Sequence, residues 1–122
     1  MFRIIIAGGR DFGDYELLKK ECDSYIESLE KSPDEIIVIS GMAWGADSLG
    51  EQYAEERNLK IEGYPANWVR FGKSAGYRRN VAMVEVADAA ICFWDGESKG
   101  TNHTINLCNK KGIPCKIVKY IK

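Results

Sequence analysis

The stretch RIIIAGGRDFGD, residues 3–14, decides the fold. Its first half is an apolar run dominated by isoleucine, which is typical of a central strand in a parallel sheet that is covered on both faces. The run stops at Gly8 and Gly9, whose missing side chains permit a tight turn. Asp14 then precedes a helical pattern and is a typical N-cap residue. The stretch therefore predicts a strand, a loop and a helix, the first half of a βαβ unit.

The same succession of elements recurs along the rest of the chain. Short runs rich in Ile and Val lie at residues 3–8, 35–41, 60–65, 89–95 and 114–120. Helical patterns lie between them, at residues 14–30, 46–57, 75–87 and 101–111. This alternation predicts a parallel sheet with helices on both faces. The third and fifth runs contain more polar residues, which suits the two edges of the sheet.

These elements predict an α/β protein with a three-layer Rossmann-like fold. We expect a parallel five-stranded sheet in the order 3-2-1-4-5, with helices on both faces. No linker, internal repeat or low-complexity segment interrupts the pattern, so residues 1–122 are expected to form a single domain. In the third helix, Tyr77, Val81 and Val84 share one face and are expected to pack on the sheet. Gly112 is expected to end the last helix.

The composition is that of a folded and nearly neutral domain. Of the 122 residues, 45% are hydrophobic, and the net charge is -1. No charge excess favours non-specific binding to nucleic acid or to a membrane surface, so neither is expected as a partner. The apolar runs are far shorter than the roughly 20 residues of a membrane span, and the first residues lack the pattern of a signal peptide. We therefore expect a cytoplasmic protein.

The cysteines do not form a metal-binding pattern. No pair of the four is spaced as C-x-x-C, and the chain has a single histidine. Structural zinc sites combine such Cys pairs with further Cys or His ligands. The sequence therefore predicts free thiols, and neither a metal nor another cofactor is expected.

The predicted strand order brings several loops together. In that order the chain reverses direction between strands 1 and 4, and ligands of open α/β sheets bind at such a switch point, outside the carboxyl ends of the strands. The loop after strand 1 supplies Gly8, Gly9, Arg10 and Asp11. Arg10 is placed to hold a phosphate or carboxylate through two hydrogen bonds. The dinucleotide fingerprint G-x-G-x-x-G is absent, and an ordinary turn stays open as the alternative.

The loop after strand 2 has the sequence SGMAWGAD, residues 40–47. A helix is predicted to begin near Ala46, and free backbone N–H groups at its start would attract an anion. Trp44 is expected to be exposed, where it either stacks on a base or covers the edge of the sheet. The candidate ligand-binding residues of this loop are Ser40, Gly41, Met42, Ala43, Trp44, Gly45 and Asp47.

The segment after strand 3 is basic and aromatic. From Trp68 to Asn80 it contains four cations and no acid, with Phe71 and Tyr77 interleaved. Such side chains together suit phosphates and bases, although a solvated surface has the same composition. Cations at the start of a helix oppose its dipole, so their placement calls for another reason. The candidates in this segment are Trp68, Lys73, Arg78, Arg79 and Asn80.

The loop after strand 4, FWDGESKGTNH at residues 93–103, contains small and polar residues and leads into a helix. Small residues, hydroxyl groups and the backbone N–H groups of a helix start can form a phosphate cradle. The candidates in this loop are Asp95, Gly96, Ser98, Gly100 and Thr101.

Four motifs together resemble the YspA-like, YpsA-related branch of the SLOG superfamily: GGRDF, SGMAWGADSLGEQYA, YPANWVRFGKSAGYRRN and ICFWDGESKGT. The resemblance implies a Rossmann-like nucleotide-binding domain, found in bacterial or phage-infected cells, that forms a homo-oligomer. The implied ligand is a nucleotide or a nucleotide-derived molecule, such as an NAD-derived ADP-ribose or a cyclic nucleotide signal. A protein of this kind would act as a sensor, or as a phage sponge that sequesters a defence second messenger.

Two similar groups supply alternative functions. The LOG phosphoribohydrolases, which cleave the base from a nucleoside monophosphate, carry a catalytic Glu where this chain has Thr104. Because threonine cannot serve as that carboxylate, the resemblance favours binding over catalysis and identifies no catalytic residue. An N-glycoside hydrolase using Asp47 and Glu51, four residues apart on one helix, stays open. So does single-stranded DNA binding as in DprA, whose motifs are similar to SGMAWGAD and RRN.

Overall fold

The computed structural model describes residues 1–121. The strands are β1 (Phe2–Gly8), β2 (Ile36–Ser40), β3 (Lys60–Gly63), β4 (Ala89–Trp94) and β5 (Cys115–Lys119). The helices are α1 (Tyr15–Leu29), α2 (Ala46–Glu56), α3 (Trp68–Phe71), α4 (Ala75–Val86) and α5 (Lys99–Lys111). Two turns of 3₁₀ helix occupy Pro33–Glu35 and Gly72–Ser74. Every helix within residues 1–121 is too short or too polar to span a bilayer.

The five strands form one parallel sheet in the order β3-β2-β1-β4-β5, which confirms the predicted fold. Ile5 in the central strand lies opposite Ile39 of β2 and Ala90 of β4. Strands β1, β2 and β4 are buried along most of their length, whereas β3 and β5 are partly exposed. The polar residues of the third and fifth runs therefore do lie at the edges.

The helices cover both faces of the sheet. Ile4 and Ile6 of β1 pack in one core with Leu18 of α1 and Tyr53 of α2. Because successive strand residues point to opposite faces, Ile5 packs in a second core, with Met83 and Val84 of α4 and Ile105 and Cys108 of α5. All of these side chains are less than about a tenth exposed, so each core is closed to solvent.

The buried face of α4 differs from the predicted one. Tyr77 and Val81 are 46% and 39% exposed, and only Val84 of the predicted face is buried. Asn80 and Met83 are buried together with Val84 and form the face of α4 that is turned away from solvent. The amide of Asn80 can be buried because its Nδ2 donates to the carbonyl oxygen of Gly100 at 3.3 Å. A hydrophobicity pattern misses this face, since it counts a buried amide as a surface residue.

The segment between β3 and α4 contains the short helix α3, which the sequence pattern did not predict. The side chain of Asn67 accepts a hydrogen bond from the backbone N–H of Arg70 at 3.0 Å and so caps this helix. Trp68 at its first position is half exposed. Gly112 ends α5 with a left-handed backbone, φ 84°, as predicted.

Candidate ligand-binding site

A cavity of about 580 Å³ lies at the carboxyl ends of β1 and β4, the predicted switch point. We call it the main cavity. Its volume is in the range of small-molecule sites. It is lined by the ends of the β1–α1, β2–α2 and β4–α5 loops, with α3 and α4 along one side: Ala7, Gly8, Gly9, Arg10, Asp11, Ala43, Asp47, Trp68, Lys73, Gly76, Tyr77, Arg79, Asn80, Met83, Asp95, Glu97, Ser98, Gly100, Thr101 and Thr104.

Two glycines let the loops approach one another closely beside the main cavity. A Cβ on Gly8 would lie 2.3 Å from the carbonyl oxygen of Phe93 in β4, so no larger residue fits. Gly45 has φ 74°, and a Cβ there would lie 2.3 Å from the carbonyl oxygen of Gly9. The same oxygen accepts the N–H of Ala46 at 3.2 Å. The expectation of free N–H groups at the start of α2 is therefore wrong for Ala46.

Asp47 places a carboxyl group in the wall of the main cavity. It is only 6% exposed and accepts a hydrogen bond from the backbone N–H of Ala43 at 3.2 Å. Burial raises the pKa of Asp47 to about 6, and the nearby positive charge of Arg79 opposes that rise. A carboxyl group with this pKa holds or releases a proton close to neutral pH.

Arg79 faces Asp47 across Gly41. Its guanidinium donates to the carbonyl oxygen of Gly41 and, at 3.0 Å, to Oδ1 of Asn80. Burial lowers the pKa of Arg79, while the carboxylate of Asp47 raises it. An arginine stays charged in proteins even so. The main cavity therefore contains a fixed cation, held by two hydrogen bonds, next to a titratable acid.

Two further cations and two aromatic rings line the same cavity. Arg10 and Lys73 have exposed side chains. The guanidinium of Arg10 lies 5.9 Å from the centroid of the Trp68 ring, within the range of a cation–π contact. Trp68 and Tyr77 are 50% and 46% exposed, so both rings retain surface that a ligand can cover.

The side chain of Asp95 fixes the conformation of the β4–α5 loop by hydrogen bonds to the backbone of the same loop. Oδ1 of Asp95 accepts the backbone N–H groups of Glu97 and Ser98, both at 2.8 Å. The side chain of Ser98 caps α5 by accepting from the N–H of Thr101 at 3.5 Å. The N–H groups of Glu97 and Ser98 are thus bound to a carboxylate of the chain itself.

The structure adds Tyr120, a residue that sequence reasoning missed. Its hydroxyl donates to Oδ1 of Asp11 at 2.6 Å, and its ring packs edge-on against Phe12 with centroids 4.8 Å apart. Burial and this hydrogen bond raise the pKa of Tyr120. The only available signal was topological, because β5 runs parallel to β4 and its end reaches the same edge of the sheet.

The predicted site residues fall into three groups. Those of the β1–α1 loop line the main cavity, as do Ala43, Asp47, Trp68, Lys73, Arg79, Asn80, Asp95, Ser98, Gly100 and Thr101. Gly41, Met42 and Trp44 line a neighbouring cavity of about 510 Å³. Neither cavity is lined by Ser40, Gly45, Arg78 or Gly96.

The residues outside both cavities have partners of their own. The hydroxyl of Ser40 is buried and donates to Oε2 of Glu51 at 2.8 Å. Nε of Arg78 donates to the hydroxyl of Ser74 at 3.1 Å, and its guanidinium lies 4.4 Å from the centroid of the Phe71 ring. These contacts explain why Ser40 and Arg78 do not reach the main cavity.

Within residues 1–121 no group of three or more His, Cys, Asp or Glu side chains is arranged to hold a metal ion. The four cysteines are free thiols, as predicted. Cys92 and Cys115 lie on adjacent strands with their sulfur atoms 3.8 Å apart.

Solved structures share the fold. TM1055, solved by X-ray crystallography as Northeast Structural Genomics Consortium target VT76, matches 94% of this chain and 72% of its own chain with a TM-score of 0.67 and 18% identity. DNA processing protein A from Helicobacter pylori, whose structure describes a single-stranded DNA binding mode, also gives a TM-score of 0.67 at 18% identity. That match covers 95% of this chain and 64% of the Helicobacter protein.

Sequence comparison is more specific than the structural likeness. Gene 61 protein of Mycobacterium phage D29 is 35% identical over 120 residues, which cover 93% of this chain and 94% of the phage protein. Residues 2–71 match the YAcAr family, the YspA, cpYpsA-related SLOG family. Because that match spans more than half of the 122 residues, this chain belongs to the YspA, cpYpsA-related SLOG family.

Proposed function

We propose that this protein binds a nucleotide or a nucleotide-derived ligand in the main cavity. One observation carries the proposal: three cations, Arg10, Lys73 and Arg79, and two partly exposed rings, Trp68 and Tyr77, line a single cavity at the switch point of the sheet. Phosphate groups are recognised by such cations and bases by such rings. The cavity combines both, as a nucleotide requires.

The parts of the ligand can be assigned to parts of the cavity. The phosphate lies between Arg10 and Arg79, because both guanidinium groups line the cavity and Arg79 is held in place by the carbonyl oxygen of Gly41. The base stacks on Trp68 or Tyr77. The carboxylates of Asp11 and Asp47 accept hydrogen bonds from ribose hydroxyl groups, a role that fits a sugar better than a bare anion.

The biological role that we propose is that of a sensor or a phage-type sponge, which holds an ADP-ribose-like or cyclic nucleotide signal without consuming it. Residues 1–122 would form one nucleotide-binding domain, active as a homo-oligomer in the cytoplasm of a bacterial or phage-infected cell. The phage relative supports that setting. Thr104 supports binding without hydrolysis, since its hydroxyl donates to the carbonyl oxygen of Gly100 at 3.4 Å and supplies no carboxylate to the cavity.

A specific observation favours hydrolysis of an N-glycosidic bond as a second candidate. Asp47 is buried in the wall of the main cavity, and its pKa is raised to about 6. An acid of that kind can hold a proton near neutral pH and give it to the leaving base as the C–N bond breaks, while water adds to the sugar carbon and releases its proton to solvent. Glu51 has no role in this reaction, because it does not line the main cavity. Its carboxylate accepts a hydrogen bond from Ser40, and it lines the neighbouring cavity instead. The pair predicted from the helix spacing is therefore divided.

Single-stranded DNA binding is the remaining alternative, since DNA processing protein A shares the fold. It would use the cations of the segment 68–80, which lie on α3, the following 3₁₀ turn and α4. Binding to several phosphates would weaken steeply with added salt, whereas a small ligand would show a shallow dependence.

The experiment measures melting temperature and product together. The protein is incubated with AMP, NAD, ADP-ribose and cyclic ADP-ribose, and each mixture is also separated by chromatography. A binder is stabilised by about 2.7 kcal/mol when the ligand is present at 100 times its dissociation constant, and the ligand is recovered intact. Release of free base identifies the hydrolase, and absence of stabilisation by every nucleotide contradicts both.

A matched pair of variants tests the place of binding. Arg10→Gln and Arg78→Gln remove the same charge from two exposed arginines, of which only Arg10 lines the main cavity. We expect Arg10→Gln to lose most of the ligand stabilisation and Arg78→Gln to keep it. Equal losses in the two variants would contradict binding in the main cavity, because Arg78 does not line it.

A further inference from the structure

The neighbouring cavity, of about 510 Å³, lies beside the main cavity and is formed by the β2–α2 loop and the segment that leads into α3. Its lining differs in character from that of the main cavity. It carries the apolar and aromatic side chains of Met42, Trp44, Pro65 and Ala66, with Ser48 and Glu51 as polar groups. Each cavity alone has the volume of a small-molecule site, so one mononucleotide leaves one of them unoccupied.

Four residues line both cavities: Arg10, Ala43, Trp68 and Arg79. They form a shared wall, in which the guanidinium of Arg10 lies 5.9 Å from the centroid of the Trp68 ring. The two guanidinium groups are thus within reach of a ligand in either cavity. A phosphate linkage placed against this wall would contact both of them and leave one substituent on each side.

The exposed side chain of Trp44 indicates which kind of substituent the neighbouring cavity binds. It is 80% exposed, and Met42 beside it is 53% exposed. A large indole left in solvent at the edge of a cavity gains by covering a flat ring. Ser48 and Glu51 supply hydroxyl and carboxylate oxygens for the sugar attached to that ring.

We propose that the site binds a small molecule built from two nucleosides joined through phosphate, with one nucleoside in the main cavity, the second in the neighbouring cavity against Trp44, and the linking phosphates at Arg10 and Arg79. This inference rests on the proposed function, because it assigns a nucleotide to the main cavity. It narrows the ligand class from nucleotides in general to molecules with two ring systems and a central phosphate linkage.

Calorimetry with two probes tests the proposal. Diadenosine diphosphate fills both cavities, whereas AMP fills one, and we expect the dinucleotide to bind the wild-type protein at least tenfold more tightly. Trp44→Ala should weaken dinucleotide binding roughly 5- to 150-fold, the range for loss of one aromatic stacking contact, and leave AMP binding unchanged. Val86→Ala is the matched control, since Val86 is an exposed apolar residue that lines neither cavity.

The outcomes separate this inference from the function on which it rests. If AMP binds and the dinucleotide binds no more tightly, or if Trp44→Ala weakens both equally, the neighbouring cavity is not a second subsite. If neither probe binds, the dinucleotide proposal fails, and the proposed function fails with it when NAD, ADP-ribose and cyclic ADP-ribose also give no stabilisation. If an oligothymidylate binds more tightly than the dinucleotide and its affinity falls steeply with salt, the ligand is single-stranded DNA and the dinucleotide proposal is overturned. If Trp44→Ala elutes as a monomer on gel filtration where the wild type elutes as a dimer, and its dinucleotide affinity is unchanged, Trp44 belongs to an interface between copies of the chain. That result also overturns the proposal.

Discussion

Replacing Asp47 by Asn should change how the stability of the protein depends on pH. Asp47 is 6% exposed, and its pKa rises from 3.8 to about 6 on folding because burial disfavours the charged form. The folded protein therefore holds a proton on this carboxyl that the unfolded chain has already lost between these two values. Stability falls as the pH rises through this window, and the loss is complete above it.

The size of the effect follows from the shift. A difference of about 2 pKa units corresponds to about 3 kcal/mol of unfolding free energy, and most of it develops between pH 4 and pH 6. Asparagine keeps an oxygen for the N–H of Ala43 but does not titrate. The variant should therefore gain stability over the wild type by about 2 kcal/mol across this interval, with no further gain above pH 7. A constant offset, from replacing the protonated carboxyl group by an amide, leaves the slope unaffected.

The assay is urea denaturation at whole pH units from 4 to 8. Asp34→Asn serves as a matched control, because Asp34 is an exposed carboxylate on the 3₁₀ turn before β2. It removes a carboxylate outside the core, so the comparison isolates the contribution of the buried Asp47. Parallel profiles for the wild type and Asp47→Asn over the whole range would refute the reasoning, since they would show that Asp47 titrates alike in the folded and unfolded chains.

Three further substitutions test single contacts. Arg79→Gln should lower the free energy of unfolding by roughly 1–3 kcal/mol in urea, because the carbonyl oxygen of Gly41 loses a charged donor; an unchanged midpoint would contradict that bond. Gly45→Ala should lower the free energy of unfolding by roughly 3 kcal/mol, since φ is 74° and the new Cβ would meet a backbone oxygen at 2.3 Å. A decrease of less than about 1 kcal/mol would contradict this backbone conformation at Gly45. Tyr120→Phe removes the 2.6 Å hydrogen bond to Asp11. Calorimetry should show that nucleotide binding is weakened several-fold with little loss of stability, and full affinity would show that Asp11 needs no positioning by Tyr120.

The sequence predicted the sheet because the signal for each strand is local. The runs around Ile5, Ile39 and Ile91 are apolar on both faces, and that pattern alone distinguishes central strands from edges. The predicted strand order and the switch-point rule then brought the correct loops together. The family resemblance was confirmed by the match over residues 2–71.

What the sequence could not predict depends on contacts between distant residues. The buried face of α4 was assigned wrongly because Asn80 is satisfied by Gly100, twenty positions away. Tyr120 reaches Asp11 across 109 positions, and no local pattern connects them. The acidity of Asp47 is likewise set by burial and by Arg79, so only the folded chain gives it a pKa near neutrality.

The carboxylate of Asp95, which binds the N–H groups of Glu97 and Ser98, has a consequence for the speed of ligand capture. A loop that folds only around its ligand loses conformational entropy at the moment of binding, and its closure limits the association rate. Here the acid keeps the loop in shape beforehand, so a ligand meets a preorganised rim. Association of the proposed nucleotide would then be governed by diffusion and by attraction to the cations of the cavity.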